Sequence, residues 1–187
     1  MTSSATPARN RRGAVFLDRD NTLNVDHGYT WRIEDFAWVS GAPEALAIWH
    51  RAGIPCFIVT NQGGIGKGLY STRQMQEFNA HLCAEAERAG GFITDIAFCP
   101  NHPDAVSEAL RAPAPCRKPE PGMILELAGR WNIDLSASVM IGDRDSDVAA
   151  GKAAGCHAYL FDGLDLATLA QQVLAQHFSN RRAAPDA

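Results

Sequence analysis

Residues 14–24 read AVFLDRDNTLN, and this stretch limits what the chain can become more than any other. Its apolar opening, Ala14 to Leu17, is too short for a helix and long enough for a buried strand. It runs directly into Asp18 and, two positions on, Asp20. Taking an isolated carboxylate out of water is costly, so acids closing a core strand ask for a cation. Asn21 and Thr22 follow, residue types that can turn a chain sharply. Two readings stand open on this stretch alone. Either D-x-D-x-T is a metal-binding catalytic edge, or Asp18 caps a strand and Asp20 belongs to a solvated turn.

The remainder of the chain repeats the strand-then-polar pattern. Short apolar runs at 54–59, 93–98, 138–141 and 157–161 are expected as strands. Between them, helices are expected over 43–51 (proline first, Gly53 as the stop) and from Ser71 to about Ala89 behind an S-x-x-Q capping box. Further helices are expected over 122–131, 146–154 with Gly155 as C-cap, and 165–178. Residues 26–38 and 100–121 read as loops. The glycines around Lys67 lack the spacing of a phosphate-binding P-loop and read as a flexible connection. Strands alternating with helices predict an α/β protein, a parallel sheet covered on both faces, with ligands at the carboxyl ends of the strands. One domain over 13–178 is expected, with disordered tails at 1–12 and 179–187.

Composition removes several classes. A net charge of −4 in 187 residues exerts no pull toward nucleic acid or anionic membrane. No apolar run approaches the length of a membrane span, and the N-terminus lacks a secretory apolar core. The five cysteines are scattered and odd in number, which favours free thiols in a reducing cytoplasm. A cytoplasmic monomer is expected.

Three expected strand ends carry polar chemistry: Asp18 and Asp20, Thr60 and Asn61, and Asp143. Arg117 and Lys118 stand just before a helix start. Together with the further acid Asp147 these suit phosphoryl transfer. Asp18 and Asp143 offer hard oxygens to Mg²⁺, and an ionised carboxylate can attack phosphorus once the substrate's charge is offset. Lys118 shares in that offset, Thr60 and Asn61 can hold phosphate oxygens, and Asp20 is the natural general acid.

These residues carry a resemblance. D-R-D-N-T at 18–22, T-N-Q at 60–62, R-K-P at 117–119 and G-D-R-D-S-D at 142–147 resemble the four motifs of the haloacid dehalogenase (HAD) superfamily. The likeness covers about residues 13–162. Within that superfamily the chain is similar to the heptose-bisphosphate phosphatases and the related histidinol-phosphatases, through FLDRD, NVDHGY, VTNQGGIGKG, CRKPEPGM and IGDRDSD. The resemblance implies a HAD-like Rossmannoid fold without a large cap domain. It implies Asp18 as nucleophile, Asp20 as acid and base, and Mg²⁺ held by Asp18, the Asp20 carbonyl and Asp143. It further implies substrate contacts from Asp26, His27, Gly28, Tyr29, Thr60, Asn61, Gln62, Gly63, Arg117, Lys118 and Arg144, and a small phosphorylated sugar as substrate. The expected reaction is removal of the 7-phosphate of D-glycero-D-manno-heptose 1,7-bisphosphate on the way to surface polysaccharide, with histidinol phosphate as the alternative substrate.

Two positions depart from the family pattern. Asn21 stands where glycine is usual, and asparagine tolerates left-handed backbone angles. Cys99 and Cys116 match two of four ligands of a family zinc loop, but Asn101 and Ala114 occupy the other two places. A closed zinc site needs four ligands, so none is expected and both cysteines read as ordinary thiols. Two other classes were weighed. A phospho-receiver domain gathers similar residues but opens on adjacent acids and takes its phosphate on a mid-chain aspartate. A catalytically dead binding module would have lost at least one of the residues above.

Overall fold

Side chains alternate along the first strand, and the protein is built in layers on that alternation. The computed structural model describes residues 11–179; apart from Arg11, Arg12 and Ser179, the expected tails lie outside the described residues. Strand β1 (Val15–Leu17) is central, pairing in parallel with β2 (Cys56–Asn61) on one side and β4 (Val139–Gly142) on the other. Strands β3 (Asp95–Cys99) and β5 (His157–Leu160) complete an all-parallel sheet of order β3-β2-β1-β4-β5. Phe16 lies level with Phe57 and Met140, and Leu17 with Ile58 and Ile141.

Val15, Leu17, Ile58 and Ile141 pack beneath helices α1 (Ala42–Arg51), α3 (Thr72–Arg88) and α7 (Leu166–Val173), with Trp49 fully buried among them. Phe16, Phe57, Val59 and Met140 face α5 (Gly122–Trp131) and α6 (Asp145–Ala154). This is the expected α/β architecture with helices on both faces and no inserted cap domain. Local signals hold where they rest on capping chemistry. Ser71 and Gln74 form the capping box of α3, and Gly155 ends α6 at φ 89°. Asp165 caps α7 by accepting from the Thr168 amide, and the expected single helix to 178 becomes a π turn at Leu174–Phe178.

Two expectations are corrected. The loop at 100–121 contains a helical turn, α4 (Glu108–Arg111), capped by the Ser107 hydroxyl. The glycines after β2 are not a flexible connection: they form the turn α2 (Gly63–Gly66), where glycine is needed for close approach. A Cβ on Gly66 would lie 2.5 Å from the Pro100 carbonyl oxygen, and one on Gly63 would lie 2.7 Å from the His102 ring. Gly66→Ala therefore sets a gain in helix propensity of about 1 kcal/mol against a clash with backbone. The clash is expected to win, lowering the melting temperature by an amount equivalent to about 1–3 kcal/mol. A melt that rises instead would show that α2 and the loop after β3 are free to separate.

Candidate active site

The sheet order changes direction beside β1, and the crevice at the carboxyl ends of β1 and β4 is where such sheets bind ligands. Asp18 leaves β1 here with its amide donating to the Ile141 carbonyl (2.9 Å), and Asp143 leaves β4. Asp147 comes from the first turn of α6 and is buried. One carboxylate oxygen from each of Asp18, Asp143 and Asp147 falls within 4.8 Å of the others.

Lys118 enters this cluster from the opposite wall. Its Nζ pairs with Asp18, lies 2.6 Å from Asp147 and donates to the Val59 carbonyl at 2.7 Å. Asn61 fixes the lysine's backbone from the end of β2, donating to the Lys118 carbonyl (3.1 Å) and accepting from its amide (3.0 Å). Burial disfavours a charged lysine, but Asp18 and Asp147 outweigh it and hold the amine charged. Burial pushes Asp18 up to about 7; Lys118 opposes that shift while Asp147 and Asp20 add to it. Asp143 is raised too, by burial first and by Asp147 second.

Three carboxylates share one buried ammonium, with the exposed Arg144 3.8 Å from Asp143, and Asp143 Oδ1 is buried without a hydrogen-bond partner. Hard oxygens, an excess of carboxylates over buried cations and an unpartnered acceptor together fit a small divalent cation.

Asp20 lies beside the cluster and lines the same cavity, of about 270 Å³, as Asp18 and Lys118. Asn21 takes φ 59°, the left-handed conformation expected of it, and its side chain accepts from the Asp26 amide at 2.9 Å. That bond starts a tight turn. Asp26 accepts from the Thr30 amide (2.7 Å), Gly28 takes φ 96° and Tyr29 φ 64°. Asp26, Gly28 and Tyr29 thereby reach the cavity, while His27 does not line it. Asn61, Gly63, Arg117 and Arg144 complete the expected lining. Arg117 is steadied by the Asn101 carbonyl at 2.6 Å.

Thr60 and Gln62 are buried and do not line the cavity. Strand β2 runs through Asn61, so alternation sends Asn61 one way and Thr60 the other, and Gln62, at the turn into α2, donates to Thr60 and Asp20. Sequence reading missed three residues of the lining, Tyr70, His102 and Ser146. Ser146 sits inside the G-D-R-D-S-D stretch and could have been found there; Tyr70 lies outside every motif. Cys99 and Cys116 correct the expectation of free thiols. They are joined as a disulfide with Cα atoms 5.4 Å apart, whereas Cys56, Cys83 and Cys156 are free.

A carboxylate closing the central strand, a second acid two residues on, a buried lysine and further acids after β4 define a HAD-type hydrolase. Residues 115–163 match the family model described as HAD-hydrolase-like. The D-glycero-beta-D-manno-heptose-1,7-bisphosphate 7-phosphatase of Rhodopseudomonas palustris is 39% identical over 176 residues, covering 94% of this chain and 96% of that protein. A protein from Mesorhizobium loti described as a HAD-like phosphatase superposes with a TM-score of 0.81 at 31% identity, covering 91% of this chain and 90% of its own. The D,D-heptose 1,7-bisphosphate phosphatase of B. bronchiseptica, solved with magnesium and phosphate, gives 0.77 at 27% identity over 87% and 98%. This chain belongs to the family of heptose-1,7-bisphosphate 7-phosphatases.

Proposed function

We propose that this chain hydrolyses the 7-phosphate of D-glycero-D-manno-heptose 1,7-bisphosphate, with Mg²⁺ as cofactor, in the supply of nucleotide-activated heptose for surface polysaccharide. The observation that carries the chemistry is the buried Asp18–Lys118 pair beside Asp143 and Asp147 (contacts to Lys118 of 2.6 Å from Asp147), with Asp20 facing the same cavity. The substrate rests on the relative from R. palustris, which is similar along nearly the whole chain.

Asp18, Asp143 and Asp147 would hold the cation, which when bound offsets phosphate charge. Lys118 holds Asp18 in place and presents positive charge beside the phosphate oxygens. The ionised Asp18 oxygen bonds to phosphorus while the bond to the sugar oxygen breaks, and Asp20 gives that oxygen its proton. Asp20 then takes a proton from the water that attacks phosphorus, which frees phosphate and restores Asp18. Arg117, Arg144, Tyr29, Asp26 and Gly28 surround the rest of the cavity and suit a polar, phosphorylated sugar. Zinc has no place in this reading, because Asn101 and Ala114 are poor ligands and Cys99 is bonded to Cys116.

No helix among the described residues is long and apolar enough to cross a membrane. We place the reaction in the cytoplasm, where the charge of a bisphosphorylated sugar retains it, and with one chain as the working unit.

Phosphate release from both anomers of heptose 1,7-bisphosphate, with histidinol phosphate alongside, tests the reading. Release from a heptose anomer is expected with Mg²⁺, falling by at least about 100-fold when EDTA removes the cation. Turnover of histidinol phosphate alone would replace the substrate, and equal rates with and without EDTA would remove the metal.

A further inference from the structure

The acid Asp20 is held by a set of buried side chains that do not themselves reach the reacting atoms. Arg19, only 1% exposed, donates to Asp20 through Nη2 (2.8 and 3.1 Å) and Nε (3.1 Å). The guanidinium is fixed in turn by the Asn79 side chain (2.9 Å), the Thr30 carbonyl (3.0 Å) and the Phe78 ring beneath it (4.7 Å). From the other side Gln62 Nε2 donates to Asp20 Oδ2 at 2.8 Å and to Thr60 Oγ1 at 2.8 Å. Tyr70 closes the chain, its hydroxyl donating to Gln62 Oε1 at 2.6 Å.

The order of donors matters. A side-chain amide can present either its oxygen or its NH₂ to a neighbour. The ionised Asp20 only accepts and so takes the NH₂ of Gln62, and the Tyr70 hydroxyl, donating to Oε1, favours the same orientation when Asp20 carries its proton. Every protein group that Asp20 meets, Arg19, Gln62 and Asn24 (3.3 Å), then donates to it. A proton carried by Asp20 finds no acceptor among them, and is directed to the cavity.

We infer that Tyr70, acting through Gln62, is a positioning residue that orients the proton of Asp20 toward the leaving oxygen of the substrate. The inference rests on the acid role given to Asp20 above. Without the Tyr70 hydroxyl, Gln62 can rotate its amide and offer Oε1, which would draw the acidic proton inward and away from the substrate. The bond to Asp20 itself would remain, so the fault would lie in direction and not in contact. Tyr70 is otherwise held by stacking on Trp31, with ring centroids 6.0 Å apart, so loss of the hydroxyl leaves its ring in place.

The test is the ratio of kcat on heptose 1,7-bisphosphate, whose sugar oxygen must be protonated as it leaves, to kcat on p-nitrophenyl phosphate, whose phenolate leaves without a proton. Asp20→Asn sets the scale, with an expected fall in that ratio of about 100-fold or more. Tyr70→Phe is expected to lower it about 10-fold with little change in KM, and Gln62→Leu to lower it similarly. The double variant should add little to either single one, since both act on one bond. A ratio unmoved by Asp20→Asn overturns the acid role and the relay with it. A ratio moved by Asp20→Asn but not by Tyr70→Phe overturns the relay alone. Equal losses on both substrates in Tyr70→Phe assign the residue a purely structural part and also overturn it. Should Gln62→Leu fail to fold, Tyr70→Phe, which removes one oxygen atom, decides the matter.

Discussion

Asp18→Asn is expected to abolish phosphate release, with kcat reduced at least about 10⁴-fold, while the protein melts at the same or a higher temperature in the absence of divalent cation. The amide has the shape of the carboxylate but cannot attack phosphorus. It also removes one of three clustered acids, the one that burial and its neighbours push up to about 7. Above the unfolded value of 3.8 and through that range, the folded state holds a proton that the unfolded state has released, so ionising Asp18 destabilises the metal-free fold as pH rises. Replacing it by asparagine removes that penalty. Two measurements check this: phosphate release, and melting with and without Mg²⁺. More than about 1% residual turnover would place the nucleophile elsewhere. A lower melt in the metal-free protein would mean that Asp18 stabilises the fold through Lys118 more than it repels its neighbours.

Lys118→Met is expected to be less damaging to turnover than Asp18→Asn and far more damaging to stability. Lys118 is 5% exposed and is the cation that Asp18 and Asp147 share. Removing one partner from a buried ionic cluster typically costs about 3–5 kcal/mol, because the remaining charges are left uncompensated. Loss of a preorganised positive group at the phosphate is expected to lower kcat a further ~10²–10³-fold. Mg²⁺ should narrow the stability gap to wild type, since the cation offsets the same charges. Lys118→Arg is not expected to rescue activity, because a planar fork does not reproduce a point charge donating to Asp18, Asp147 and the Val59 carbonyl. A variant whose melt and turnover stay close to wild type would show that the lysine is an onlooker.

The parts of the molecule that follow from local chemistry were readable in the chain. Short apolar runs ending in acids or amides gave the strands and their catalytic ends. The Ser71–Gln74 box and Gly155 gave helix boundaries, and asparagine's tolerance of positive φ accounted for Asn21. What stayed hidden depends on neighbours distant in sequence. Glycine signals freedom in a linear reading, yet Gly63 and Gly66 are small because His102 and the Pro100 carbonyl press on them. Cys99 and Cys116 are 17 residues apart, and only the return of the chain after α4 brings them together. Gln62 sits in a motif beside Asn61, but the turn from β2 into α2 points it inward, to Asp20 instead of the cavity. Tyr70 carries no motif at all, and its meaning comes from the atom its hydroxyl donates to.

The pair at the heart of the site, Asp18 and Lys118, is separated by 100 residues, and Asp147 lies later still. As the chain is synthesised, Asp18 at the end of β1 emerges long before Lys118, the cation that balances it. The central strand also cannot acquire its β4 neighbour until the last third of the chain exists. Such wide sequence separation slows the search for the native pairing. Chaperone demand should therefore peak late in translation, and premature termination before Lys118 should yield a chain whose Asp18 has no cation to pair with.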